Sequence, residues 1–146
     1  MDDRQLPKLS DFPILTIDKI RFRDTDQLGH VNNAVFSTFF ETGRAELLVH
    51  PERRLAADGA SFVIASLFLE YYQEITWPGE IQTGTRVLSV GRSSVKLEQG
   101  LFQNEQCVAR AETVIVQISD LTRKSTPLSE SSAAKLRTLI ETQATS

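Results

Sequence analysis

The sequence predicts an α+β domain in which an antiparallel sheet of about five strands wraps around one long apolar helix. Three observations carry this. The stretch from Asn33 to Val49 repeats its apolar residues at helical spacing over so wide a face that most of its sides need cover. From residue 60 onward the period changes to two, through successive strand-like segments separated by turns. One further segment of that kind precedes the helix. A sheet that buries one face against the helix satisfies both patterns.

Taken in order, residues 1–12 read as a loose terminus, as do 142–146, and the 146-residue chain reads as a single domain. Ile14 to Phe22 alternates as a strand, with Ile14, Thr16, Asp18, Ile20 and Phe22 on one face. The segment Asp24-Thr25-Asp26-Gln27-Leu28-Gly29-His30 has the turn chemistry of a loop. In the helix, Val35, Phe39, Gly43 and Leu47 share a face that Phe36, Phe40 and Leu48 widen. Asn32 or Asn33 supplies its N-cap and Pro51 stops it. Leaving such phenylalanines in water would cost about 1.5–3 kcal/mol per large side chain.

Ser61 to Tyr72 is nearly continuous in apolar residues, which predicts a strand covered on both faces. After Trp77-Pro78-Gly79 come strands at Ile81 to Val90, Val95 to Leu101 and Cys107 to Ser119, joined by turns at Gly91 to Ser93 and Asn104-Glu105. Ser131 to Glu141 reads as a short closing helix.

Hydrophobic residues make up 40% and charged ones 24%, which is globular rather than disordered usage. A net charge of −3 gives no general reason to expect nucleic acid, although a local basic patch can still hold a phosphorylated ligand. Cys107 is the single cysteine, which excludes an intrachain disulfide and a multi-cysteine metal centre. His30 and His50 stand too far apart in sequence to suggest a His-rich site, so neither metal nor resident cofactor is expected. No apolar run approaches the roughly eighteen residues of a membrane span, and MDDRQLPKLS lacks the apolar run of a signal peptide. A cytoplasmic setting is expected.

The chemistry concentrates in the loop before the helix. A helix start offers unpaired N–H groups and a positive dipole end, able to hold a carbonyl oxygen as it becomes an oxyanion. Asp24 and Asp26 lie a few residues earlier, where a carboxylate beside that carbonyl serves as base or nucleophile. Gly29 lets the backbone approach a ligand closely. The same aspartates are equally suited to capping turns. Glu41 and Arg44 are spaced for an ion pair, which reads as a structural contact or one made to a neighbouring subunit. Cys107, with no histidine partner identifiable in the sequence, reads as a small buried residue.

The run Phe22-Arg23-Asp24-Thr25-Asp26-Gln27-Leu28-Gly29-His30-Val31-Asn32-Asn33-Ala34-Val35-Phe36, followed by Phe39-Phe40-Glu41-Thr42-Gly43-Arg44-Ala45-Glu46, resembles the 4-hydroxybenzoyl-CoA thioesterase family of hot-dog fold acyl-CoA thioesterases. Pro78-Gly79-Glu80, Val90-Gly91-Arg92-Ser93-Ser94 and the exit from Asp120 to Pro127 extend the likeness over about residues 14 to 128. The resemblance implies a hot-dog fold and hydrolysis of an acyl-CoA to free acid and coenzyme A, with coenzyme A present only as part of the substrate. It implies Asp26 as the catalytic carboxylate, by either route, and the backbone N–H of Asn33 as the oxyanion donor. Asp24 orders the loop. A branch of the family carries histidine where this chain has Asn33, and His30, three residues earlier, does not replace it.

Substrate contacts are expected from Gly29, His30 and Phe36, with Phe39 and Phe40 as further acyl lining. Arg92, Ser93 and Ser94, with Arg123 and Lys124, are candidates for the coenzyme A phosphates. The resemblance also implies a homodimer or homotetramer with sites between subunits. Two other readings stand beside hydrolysis. One is a non-catalytic acyl-CoA-binding module. The other is a hot-dog dehydratase or hydratase, which wants a well-placed histidine with an acid partner.

Overall fold

A computed structural model describes residues 5–144. Its elements are β1 (Ile14–Lys19), α1 (Asn33–Leu48), β2 (Ala60–Tyr71), β3 (Glu80–Val90), β4 (Ser94–Gln103), β5 (Gln106–Ser119) and α2 (Glu130–Ala144). The strands form one antiparallel sheet in the order β1-β3-β4-β5-β2, as the alternation predicts. β4 and β5 are joined by Asn104 and Glu105 at φ 52° and 66°, the left-handed pair that a two-residue hairpin turn demands.

The inner face of the sheet carries α1. Phe36, Phe39, Phe40, Gly43, Leu47 and Leu48 are buried against it. At the N-terminal end of α1 they meet Ile81, Leu101, Ala109 and Ala111 in one cluster. At its other end they meet Val87, Val95 and Leu97, with Leu136 of α2 closing that side. Asn32 caps the helix, its side-chain oxygen accepting the Ala34 N–H at 2.9 Å. Val49 ends it, two residues before Pro51.

Four expectations need correction. The alternating face of β1 is right, but the strand stops at Lys19. Residues 22–24 turn into a 3-10 segment instead, which leaves Phe22 70% exposed and edge-on to Trp77 at 5.1 Å. The second correction concerns β2, which among the described residues is an edge strand paired only with β5. Ile64, Leu67 and Phe68 stand 48%, 41% and 57% exposed within one chain. The apolar run is real, but Ile64 and Leu67 on the inner face and Phe68 on the outer face are left largely uncovered by the described residues.

Third, residues 5–12 are not loose throughout. Phe12 is buried, its ring lying over Gly84 and Gly100 on the outer face of the sheet and 5.9 Å from Phe102. Leu6 and Leu9 pack beside it. Residues 1–4 lie outside the described residues, as do 145–146, while 142–144 continue α2. Fourth, no ion pair joins Glu41 to Arg44 among the described residues. Arg44 turns inward instead, where its Nη1 donates to Gln99 Oε1 at 3.4 Å. Burial pulls its guanidinium below the ordinary value, against the opposing pull of Glu41.

The outer face carries a ladder of charges across β3, β4 and β5. Arg110 donates to Glu98 and Glu112, each at 2.5 Å, while Arg86 meets Glu98 from the other side. Lys96 reaches Glu112 at 3.2 Å.

Candidate active site

The loop from Arg21 to Asn32 is held by its own acids. Asp24 is 3% exposed and accepts from the Arg21 N–H at 2.8 Å and from Arg21 Nη2 at 3.1 Å. Its carbonyl accepts the Asn32 N–H at 2.8 Å, so Asp24 sets where α1 begins. Asp26 closes a tighter turn. Its N–H donates to the His30 carbonyl at 2.8 Å, and Oδ1 accepts from the N–H groups of Leu28 and His30 at 2.8 and 3.2 Å. Gly29 sits inside this turn at φ +81°, a conformation that strains a residue with a side chain.

The consequence is a carboxylate with one fixed oxygen and one spare. Among the described residues, Oδ2 of Asp26 has no hydrogen-bond partner. The Asn33 N–H at the first turn of α1 likewise has no acceptor there, as helix geometry requires of such an amide. Asp26 and Asn33 line one cavity of about 490 Å³ with His30, Tyr71, Tyr72 and Glu74.

Three contacts fasten this loop to the connection that follows β2. The Val31 N–H donates to the Ile75 carbonyl at 2.8 Å, and His30 forms a bridge with Thr76. His30 Nε2 stands 3.1 Å from Glu74 Oε2. The Tyr71 hydroxyl donates to the Asn33 carbonyl at 3.2 Å while its ring meets Phe36 edge-on at 5.0 Å. Tyr71 and Glu74 escaped the sequence reading. The polar tips of Tyr71-Tyr72 at the end of an apolar strand were the only available signal, and no spacing marks Glu74.

The other candidates divide. Asp26, His30 and Asn33 come together around the cavity, with Gly29 shaping their turn. Phe36, Phe39 and Phe40 are core residues of the single chain, at 1%, 5% and 0% exposure. Arg92, Ser93 and Ser94 do not join Asp26 within one chain. They lie past the far end of β3, eleven residues long, so roughly 35 Å along the strand from its start near Thr76. Arg123 and Lys124 share that far end, where the Gln117 N–H reaches the Ser93 carbonyl and the Ser119 N–H reaches the Lys124 carbonyl, each at 2.8 Å.

Cys107 is buried, its thiol pushed up to about 11 chiefly by that burial while it donates to the Ala109 carbonyl at 3.3 Å. A thiol held protonated this way is no nucleophile at neutral pH. No group of three or more His, Cys, Asp or Glu among the described residues is placed to hold a metal ion.

Comparison with known proteins agrees with this architecture. The chain is 26% identical over 123 residues to the acyl-CoA thioester hydrolase YbgC of Escherichia coli O157:H7, covering 82% of this chain and 92% of that protein. A thioesterase from Thermus thermophilus, solved with coenzyme A and Zn, is 31% identical and superposes with a TM-score of 0.74 over 86% of this chain and 98% of its own. The DHNA-CoA thioesterase of Staphylococcus aureus, 19% identical, shares the hot-dog fold with a TM-score of 0.76 over 88% of this chain and 93% of its own. Residues 20–136 match the thioesterase-like superfamily, which takes in the loop, α1 and all the strands after it. The chain belongs to the thioesterase-like superfamily.

Proposed function

We propose that the protein hydrolyses an acyl-CoA thioester to a free acid and coenzyme A. The observation that carries this reading is the pairing of a spare carboxylate oxygen, Asp26 Oδ2, with a spare helix-start amide, Asn33 N–H, around one cavity. The amide receives the thioester oxygen as negative charge develops on it. Asp26 works from the other side, either taking a proton from the attacking water or adding to the carbonyl itself. The two N–H groups on Oδ1 fix the carboxylate so that Oδ2 needs no reorientation. The likeness to YbgC and to a thioesterase that binds coenzyme A supports the substrate class.

The reading includes a homodimer. β2 offers an unpaired edge and exposed Ile64, Leu67 and Phe68, features that a monomer ordinarily blunts. Antiparallel pairing of two such edges about a two-fold axis continues the sheet and reverses the partner's ends. The end bearing Arg92, Ser93, Arg123 and Lys124 in one protomer then falls on the Asp26 side of the other. That arrangement answers the wide separation within one chain and gives cations to the coenzyme A phosphates. The acyl chain runs along α1 between protomers. No helix among the described residues is long and apolar enough to cross a membrane, and we place the enzyme in the cytoplasm.

A panel of acyl-CoA thioesters, followed by thiol release, tests the reading. Release that depends on acyl length establishes the activity and identifies the acyl class. Saturable acyl-CoA binding without release from any member replaces the reading with a non-catalytic acyl-CoA-binding module.

A further inference from the structure

Glu74 and His30 make a side-chain contact whose location exceeds any structural need for it. The backbone already fastens the two segments, through Val31 N–H on the Ile75 carbonyl at 2.8 Å and the His30–Thr76 bridge. Glu74 is 70% exposed, and an exposed pair of this kind adds little to stability. Yet Glu74 Oε2 meets His30 Nε2 at 3.1 Å on the wall of the cavity that holds Asp26 and the Asn33 amide. A carboxylate on one ring nitrogen fixes the rotation of the imidazole and determines which nitrogen remains for other work.

We propose that His30 protonates the departing thiolate, and that Glu74 is the positioning residue that orients it by holding Nε2. This rests on the thioesterase reading. Asp26 and the Asn33 amide account for attack and for the oxyanion, but neither supplies the sulfur. As the tetrahedral adduct collapses, the C–S bond breaks and its electron pair goes to sulfur. The proton on His30 Nδ1 passes to that sulfur, giving the free thiol and a neutral imidazole. The proton that water releases as it adds restores the imidazolium, passing first to Asp26 and from it to His30 when Asp26 acts as base, or reaching His30 as water adds to an Asp26 acyl intermediate. The titratable groups that line the cavity with His30 are Asp26 in its own turn, Tyr71 at the end of β2, and Tyr72 and Glu74 in the connection that follows.

Two thioesters of one acyl group separate this role from a structural one: the coenzyme A ester, whose alkyl thiolate leaves with help from a proton, and a thiophenyl ester, whose thiolate leaves without it. We expect His30→Gln to lower kcat on the coenzyme A ester by about 10²-fold, and Glu74→Ala by on the order of tenfold with KM unchanged. Glu74→Gln keeps an acceptor oxygen and falls between wild type and Glu74→Ala. On the thiophenyl ester the losses of all three variants relative to wild type are smaller than on the coenzyme A ester. Equal slowing on both esters, or no slowing on either, overturns the proposal while leaving the thioesterase reading in place. A folded wild type that releases thiol from neither ester overturns both.

Discussion

The side-chain amide of Gln99, on the central strand β4, donates to the backbone carbonyl of Phe40 in α1 at 3.0 Å. The same nitrogen donates to Thr85 Oγ1 at 3.0 Å, and Gln99 Oε1 accepts from Arg44. A fully buried polar side chain thus joins helix to sheet in the middle of an otherwise apolar layer. Such a bond forms only where the helix backbone comes close to the sheet, and Gly43 permits that approach.

A Cβ on Gly43 would stand 2.8 Å from Gln99 Nε2 and 2.8 Å from Thr83 Cγ2. Gln99 is tied down and the Thr83 methyl sits on a β-branched residue, so neither yields readily. Overpacking of this kind costs roughly 1–3 kcal/mol and outweighs the helix propensity that alanine gains, about 1 kcal/mol at most. Gly43→Ala therefore lowers the urea midpoint. An unchanged or raised midpoint would show that the helix does not rest on Gln99 as described.

The exposed apolar side chains of β2 make a prediction about assembly. Phe68→Asp places a charge on the unpaired edge without touching the inner core, so the variant folds. Light scattering on a sizing column reads wild type as a dimer or larger and Phe68→Asp as a monomer, with thiol release lost alongside. A monomeric wild type with full activity contradicts the shared site.

The ladder on the outer face sets an acid dependence. The hydrogen bond from Arg110 holds the Glu112 carboxyl below its ordinary 4.5, aided by Lys96 and opposed by burial. A carboxyl lowered in the folded state adds stability above its unfolded value, and that contribution is lost as pH falls through the folded value. Glu112→Gln therefore costs about 1 kcal/mol at neutral pH. The gap between the two melting curves closes as pH drops below 4.5. A gap that stays constant down to low pH removes Glu112 from the acid response.

Much of this was legible in the sequence because its physics is local. Helical spacing from Asn33, the Asn32 cap, Pro51 and the Asn104-Glu105 turn each act within a few residues of themselves, and all appear where the sequence places them. The Asp26 turn was legible for the same reason, since its ties run only to residues 28–30. What escaped depends on contacts distant in sequence. Glu74 meets His30 across 44 positions and Arg44 reaches Gln99 across 55. β2 was read as covered on both faces because an apolar run does not say whether its cover comes from the same chain.

The most direct measurement is steady-state thiol release by Asp26→Asn beside wild type, on the best acyl-CoA from the panel. The substitution keeps an oxygen for the Leu28 and His30 amides, so the turn and the melting temperature persist. The carboxylate that takes up the proton or attacks the carbonyl is gone. Turnover reduced by at least about 10²-fold, with the dimer intact, is the expected result. Near-wild-type turnover in a folded variant contradicts the central claim and moves the chemistry away from this loop.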